Sequence, residues 1–198
     1  MELYRMKQGA AVSAQIVYLE EAKYAYSLTE DNYKKMPENS AGYYEYKKNV
    51  LIPDIMQNPT YMVSDIIQKV IGIYDSTISC KDIFIMPNDE KYLNKGVQMF
   101  HIPDLPRVDC MAQQAVILPN GGVQDVILNS TKVQNKDIFL VDHMVENIVI
   151  VSLRFMESVL RRTFGGGVSE SRMRGGKIEW ARRHFRQDCV RRSVSMDL

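Results

Sequence analysis

The stretch Ile138-Phe139-Leu140-Val141-Asp142-His143-Met144-Val145-Glu146-Asn147-Ile148-Val149-Ile150-Val151-Ser152-Leu153-Arg154-Phe155-Met156-Glu157-Ser158-Val159-Leu160 decides the fold. Two apolar, β-branched runs, Ile138–Val141 and Ile148–Val151, flank a polar link of six residues. Such runs favour extended backbone, and a link this short lays them side by side as a hairpin. Ser152 follows, a residue whose hydroxyl caps helices well. Phe155, Met156, Val159 and Leu160 then recur at helical spacing and form one apolar face. Glu157 and Arg161 stand four apart, in the favourable order for a helical ion pair.

The same succession occurs 88 positions earlier. After a turn at Asn58-Pro59, Thr60-Tyr61-Met62-Val63 reads as a short strand and Ser64 as a cap. Asp65 lies in the first helical turn, where a negative charge suits the helix dipole. Ile66, Ile67, Val70, Ile71 and Tyr74 make the apolar face, and Asp75-Ser76 ends it. Two helices capped in the common way explain the likeness more simply than duplication does. Between the two units, Ile83–Met86 reads as a buried strand broken at Pro87-Asn88-Asp89, and Val97–Ile102 alternates in part. Val116-Ile117-Leu118 stops at the turn Pro119-Asn120-Gly121-Gly122, and Val123–Leu128 pairs back across it.

Toward the start, Leu3-Tyr4-Arg5-Met6 opens a strand, while Gln15–Leu19 fits strand or helix equally. The polar stretch through Lys34, Lys35 and Pro37 to Asn39-Ser40-Ala41-Gly42 has the composition of turns. Tyr43, Tyr44 and Tyr46 serve better as core-edge rings than as a platform for stacked bases. Short strands following one another favour an antiparallel or mixed sheet over a doubly wound parallel one. The expected architecture is α+β: a single domain with a largely antiparallel or mixed sheet, and the Ser64 and Ser152 helices packed on it.

The chain has 198 residues, 45% hydrophobic and 25% charged, with a formal net charge of +1. That is enough apolar material to offset the entropy of ordering, and the balanced charge nominates neither nucleic acid nor membrane. The charge is not evenly spread. The last 34 residues carry eight basic against four acidic side chains, and the first 164 carry 17 basic against 20 acidic. The expected organisation is therefore a domain over residues 1–167 and a basic tail over 168–198. In that tail Ile178, Ala181, Phe185 and Cys189 mark one face of a docking helix, with Trp180 beside it. No apolar run reaches the roughly 20 residues a membrane span needs. Cys80, Cys110 and Cys189 are an odd, scattered set, unlike a disulfide scaffold. The opening Met1–Gln8 lacks the apolar stretch of a secretory signal. A reducing cytoplasm is the expected compartment.

No motif announces chemistry. His101, His143 and His184 are isolated, without metal-ligand spacing. Ser64 and Ser152 lack a neighbouring base and a nucleophile elbow. Cys110 follows Val108-Asp109 with nothing local to lower its pKa. Gly121-Gly122 and Gly165-Gly166-Gly167 do not match a phosphate loop. The expectation is no catalytic, cofactor-binding or metal site. Two other readings stay open: a nucleic-acid accessory protein using Arg172, Arg174, Lys177, Arg182, Arg183, Arg186, Arg191 and Arg192, and an enzyme whose site assembles from dispersed residues.

Residues 51–167 resemble a bacterial family grouped among the immunity proteins of polymorphic toxin systems, immunity family eleven. The likeness runs through Tyr61-Met62-Val63-Ser64 and its helix, Tyr74-Asp75, the strand after Lys81, and Ile102-Pro103 with Val108-Asp109-Cys110. It continues through Val126-Ile127-Leu128, Asp137-Ile138-Phe139 and Glu157-Ser158-Val159-Leu160-Arg161-Arg162 followed by glycine. The resemblance implies a non-catalytic intracellular protein that neutralises a cognate toxin by occupying its surface. It assigns no functional residue. The 31 positions from Val168 to Leu198 run past it, as an added docking helix or as the product of an altered reading frame.

Overall fold

The computed structural model describes residues 2–8, 16–19, 28–47, 52–113, 115–119, 123–129, 131–162, 168–174 and 177–179. The quoted stretch forms β11 (Ile138–Val141), β12 (Val149–Ser152) and α3 (Leu153–Leu160). β11 and β12 pair antiparallel, with Phe139 opposite Ile150. β1 (Leu3–Gln8) lies antiparallel on the other side of β12, Tyr4 opposite Val151 and Met6 opposite Val149. β13 (Val168–Arg174) and β14 (Lys177–Glu179) extend this sheet beyond β1, and β8 (Arg107–Val108) closes it in parallel with β11. The order is thus β14-β13-β1-β12-β11-β8.

Where one sheet was expected, a second of six strands is present among the described residues. Its order is β2-β3-β6-β7-β5-β4: β2 (Ile16–Leu19), β3 (Asn39–Tyr44), β6 (Cys80–Pro87), β7 (Gln98–Pro103), β5 (Met62–Ser64) and β4 (Ile55–Met56). The β3–β6 pair is parallel and every other pair in it antiparallel. The fold is α+β. α2 (Asp65–Tyr74) packs on β5 and β7, and α3 on β1 and β12. A ribbon of β9 (Val116–Ile117) and β10 (Val123–Asp125) forms the hairpin expected there.

Alternation along the first sheet divides the interior. Tyr4, Met6, Ile138, Leu140, Val149 and Val151 face the larger core with Phe155, Met156 and Val159 of α3 and the inner residues of the second sheet. Leu3, Phe139, Val141, Ile148 and Ile150 face a smaller core closed by Cys110, Val126, Leu128 and Val133. β1, β11 and β12 are therefore covered on both faces, which explains their unbroken apolar runs.

The two Val-Ser junctions share more than a cap. Ser64 donates its hydroxyl to Asp54 Oδ1 at 2.7 Å and its backbone N–H to the Asp54 carbonyl at 2.8 Å. Ser152 does the same to Asp137, at 2.6 and 2.9 Å. In each unit an Asp-Ile pair opens the first strand of a hairpin and a Val-Ser pair ends the second. Ser152 also accepts from the Phe155 N–H at 3.3 Å, as a capping residue does. Ser64, whose hydroxyl likewise donates to Asp54, makes no side-chain cap bond, contrary to expectation. Arg154 grips Asp137 through Nε at 2.5 Å and through Nη2, holding that carboxyl below the usual range.

Several local readings change. The supposed turn from Lys34 to Gly42 is α1 (Glu30–Lys35) followed by β3. Thr29 Oγ1 caps α1 by accepting from Asn32 N–H at 3.2 Å, but six residues are too few to display a helical period. Ile66 and Ile73 stand exposed, so the buried face of α2 is Ile67, Val70 and Ile71. Gln15 and residues 180–198, including Ala181, Phe185 and the tail arginines from Arg182 onward, lie outside the described residues. Ile178 sits in β14 and not on a helix, and β13 joins the sheet where a tail was expected.

Phe139→Ala and Phe155→Ala each leave a buried cavity, and each is expected to cost about 3–5 kcal/mol in urea unfolding. Ile73→Ala is expected to change stability by less than about 0.5 kcal/mol. Asp137→Asn is expected to destabilise at neutral pH. Because the folded-state pKa is depressed, that deficit should begin to shrink once pH falls through the ordinary carboxylate range, where the unfolded chain takes up the proton first, and should be lost as pH falls through the lower folded-state value. Urea midpoints at pH 7 and pH 3 measure it.

Candidate functional site

The second sheet turns one face inward and leaves the other uncovered around β6 and β7. Along β6, Lys81, Ile83, Ile85 and Pro87 are buried, while Asp82, Phe84 and Met86 point the other way and are not. The run expected to be wholly buried is thus buried on one side only, where Ile83 and Ile85 join Tyr33 of α1 in the larger core. Lys81 is the polar member of the inner row. Its Nζ donates to the Met36 carbonyl, lies 3.5 Å from Glu38 and sits 5.1 Å from the centre of the Tyr33 ring. Burial pushes the Tyr33 phenol up to about 12.

The outer row is organised by register. β6 and β7 place Asp82 opposite His101 and Phe84 opposite Met99. Phe84 is 36% exposed and Met99 40%. The 3-10 turn Glu90–Lys95 joins the two strands and adds Leu93, 48% exposed. Gly96, at φ 89°, swings the chain into β7 and leaves Val97 57% exposed. Four of the ten large hydrophobics exposed among the described residues thus lie on or between two adjacent strands. Ala41 of β3 continues the row beside Phe84. Of the tyrosines, Tyr44 is buried in the larger core and Tyr46 packs on Tyr92 with ring centres 4.5 Å apart, as core-edge rings do.

His101 is the one sequence-flagged histidine brought to carboxylates in the interior. Its Nδ1 donates to Asp82 Oδ1 at 2.8 Å, and Nε2 lies 3.8 Å from Asp65 Oδ1, beyond hydrogen-bond range. The residue is 5% exposed and Nε2 has no hydrogen-bond partner. A base in that position faces the first turn of α2, and substrate has no direct approach to it. His143 is exposed beside Asp142 in the β11–β12 link, and His184 lies outside the described residues. No group of three or more His, Cys, Asp or Glu among the described residues is arranged to hold a metal ion.

A polar cleft of about 120 Å³ lies elsewhere, lined by Tyr74, Asp75, Pro106, Asn135, Lys136, Asp137 and Ile138. The Tyr74 hydroxyl, 2.8 Å from both the Arg154 carbonyl and Ser158 Oγ, ties α2 to α3 at its edge. Hydrogen bonds from the Thr77 hydroxyl and N–H hold Asp75 below its usual pKa. Cys110 is fully buried in the smaller core; burial first, and Asp109 second, push its thiol up to about 11. Cys80 is raised to about 11 by burial and then by Asp82 and Asp104. Gly121-Gly122, Gly165-Gly166-Gly167 and Cys189 lie outside the described residues. No helix is long and apolar enough to cross a membrane among the described residues.

The sequence reading missed the Phe84–Met99 pair because both residues count as core candidates by type. Only the register, which sets them on the face opposite Ile83 and Ile85, reveals their exposure. At pH 7.5 both Cys80 and Cys110 are expected to alkylate with iodoacetamide at least about tenfold slower in the native protein than in denaturant, since few thiolates form. Peptide mass spectrometry after timed labelling reads this. No family model matches the chain, and no curated protein matches it.

Proposed function

We propose that the chain is a non-catalytic binding protein of the toxin-immunity kind, acting in the cytoplasm by covering a cognate toxin domain. The observation that supports this reading is the exposed pair Phe84 and Met99, set on a sheet whose other side is firmly packed, with Leu93 and Val97 exposed in the connection between the two strands. Aromatic residues and methionine are enriched at protein interfaces, and a few such anchors supply most of the affinity. A rigid sheet holds them in place before contact, so little ordering entropy is lost on binding. The resemblance of residues 51–167 to immunity family eleven points to the same class of partner.

The test is co-expression with the domain encoded at the 3′ end of the adjoining reading frame. Cells are expected to survive induction of that domain only when this chain is present, and the two proteins should co-elute in size-exclusion chromatography. Death of the cells with no complex detected would reject the immunity reading.

A further inference from the structure

The outer face of β6 and β7 carries charge as well as apolar surface, and the two are interleaved by the strand register. Asp82 and Phe84 are alternate residues on one side of β6, and opposite them stand His101 and Met99. Asp82 and Asp65 retain 38% and 46% of their side-chain exposure, and both lie against the buried His101 ring. At the other end of the row, Asp89 and Glu90 flank Leu93 in the joining turn. The lysines described along this border are already taken: Lys69 by Asp65 at 2.6 Å and Lys91 by Asp89 at 2.7 Å. Exposed pairs of this kind contribute little and exchange readily for another cation.

We propose that this face is the contact surface for the partner, and that the partner presents a basic protein surface with an apolar side chain at its centre. The inference rests on the protein-binding reading above and adds the location and chemistry of the contact. Phe84 and Met99 receive the apolar side chain. Asp82 and Asp65 at one end, with Glu90 at the other, receive lysine or arginine. The arrangement resembles interfaces in which an apolar centre sets affinity and a charged border sets approach and register. An acidic partner surface would place like charges together at Asp82 and Glu90, which disfavours it.

Two substitutions on the outer row leave both cores untouched: Phe84→Asp and Met99→Asp. Val145→Asp, on the exposed β11–β12 link, serves as the control. Each variant is first checked for an unchanged melting temperature within a few degrees. Two fluorescein-labelled synthetic dodecapeptides, one alternating Leu and Lys and one alternating Leu and Glu, then probe the full chain. The Leu-Lys peptide is expected to bind at least about tenfold tighter than the Leu-Glu peptide and to weaken with salt. Phe84→Asp should reduce its binding about tenfold or more, and Val145→Asp should not. Equal binding of both peptides, or loss with Val145→Asp but not with Phe84→Asp, overturns the proposal.

The same variants enter the co-expression assay with the domain from the adjoining frame. Rescue by the native chain that fails with Phe84→Asp and Met99→Asp supports the assigned face. Rescue that survives both substitutions rejects the face while leaving the immunity reading standing. No rescue by the native chain rejects the immunity reading, and the peptide measurement then decides the face by itself.

Discussion

Burial of β1, β11 and β12 on both sides is the constraint around which the other elements are arranged. Tyr4, Met6, Leu140, Val149 and Val151 require cover on one side, and Leu3, Phe139, Val141 and Ile150 on the other. The helices and the second sheet supply the first, and Cys110, Val126, Leu128 and Val133 the second. Each large buried side chain contributes roughly 1.5–3 kcal/mol, so neither cover is dispensable. The Ser–Asp contacts fix where each helix leaves its hairpin, and α2 and α3 meet where Tyr74 reaches Arg154 and Ser158, with its ring 5.1 Å from Phe155.

Packing is unevenly divided between the two faces of the second sheet. Interior contacts concentrate on the first sheet and on the inner side of the second. Two buried cations are tied to specific partners, Arg5 to Glu146 and Lys81 to the Met36 carbonyl. The outer side of β6 and β7 has no such duty. Phe84 and Met99 are held side by side there by the pairing of β6 with β7, and β3 pairs with β6 on its other edge.

The sequence made the first sheet legible where burial was two-sided, because unbroken β-branched runs at 138–141 and 148–151 admit little else. The helix of Phe155, Met156 and Val159 was equally plain from its spacing. One-sided burial was harder to read. Ile83-Phe84-Ile85-Met86 looks uniformly apolar, although Phe84 and Met86 belong to the other face. Ser64 illustrates a further limit: a residue's type fixes what it can donate or accept, but its partner Asp54, ten positions back, is chosen by the hairpin. The short α1 and the strand after it escaped notice because six residues and a polar strand carry too little period. The exposed pair of Phe84 and Met99 was invisible for the same reason, since it depends on which neighbours the fold supplies.

The placement of β1 has a consequence for how the molecule is made. Residues 3–6 pair with 149–152, so β1 has its partners among much later segments of the chain. Until those emerge, Leu3, Tyr4 and Met6 have no sheet to join, and closing so long a loop carries an entropic cost that shorter pairings avoid. The hairpin of β11 and β12 can form alone within a few microseconds of emergence. β11 and β12 thus supply the template to which β1 docks, and β13 and β14 reach the sheet only through β1.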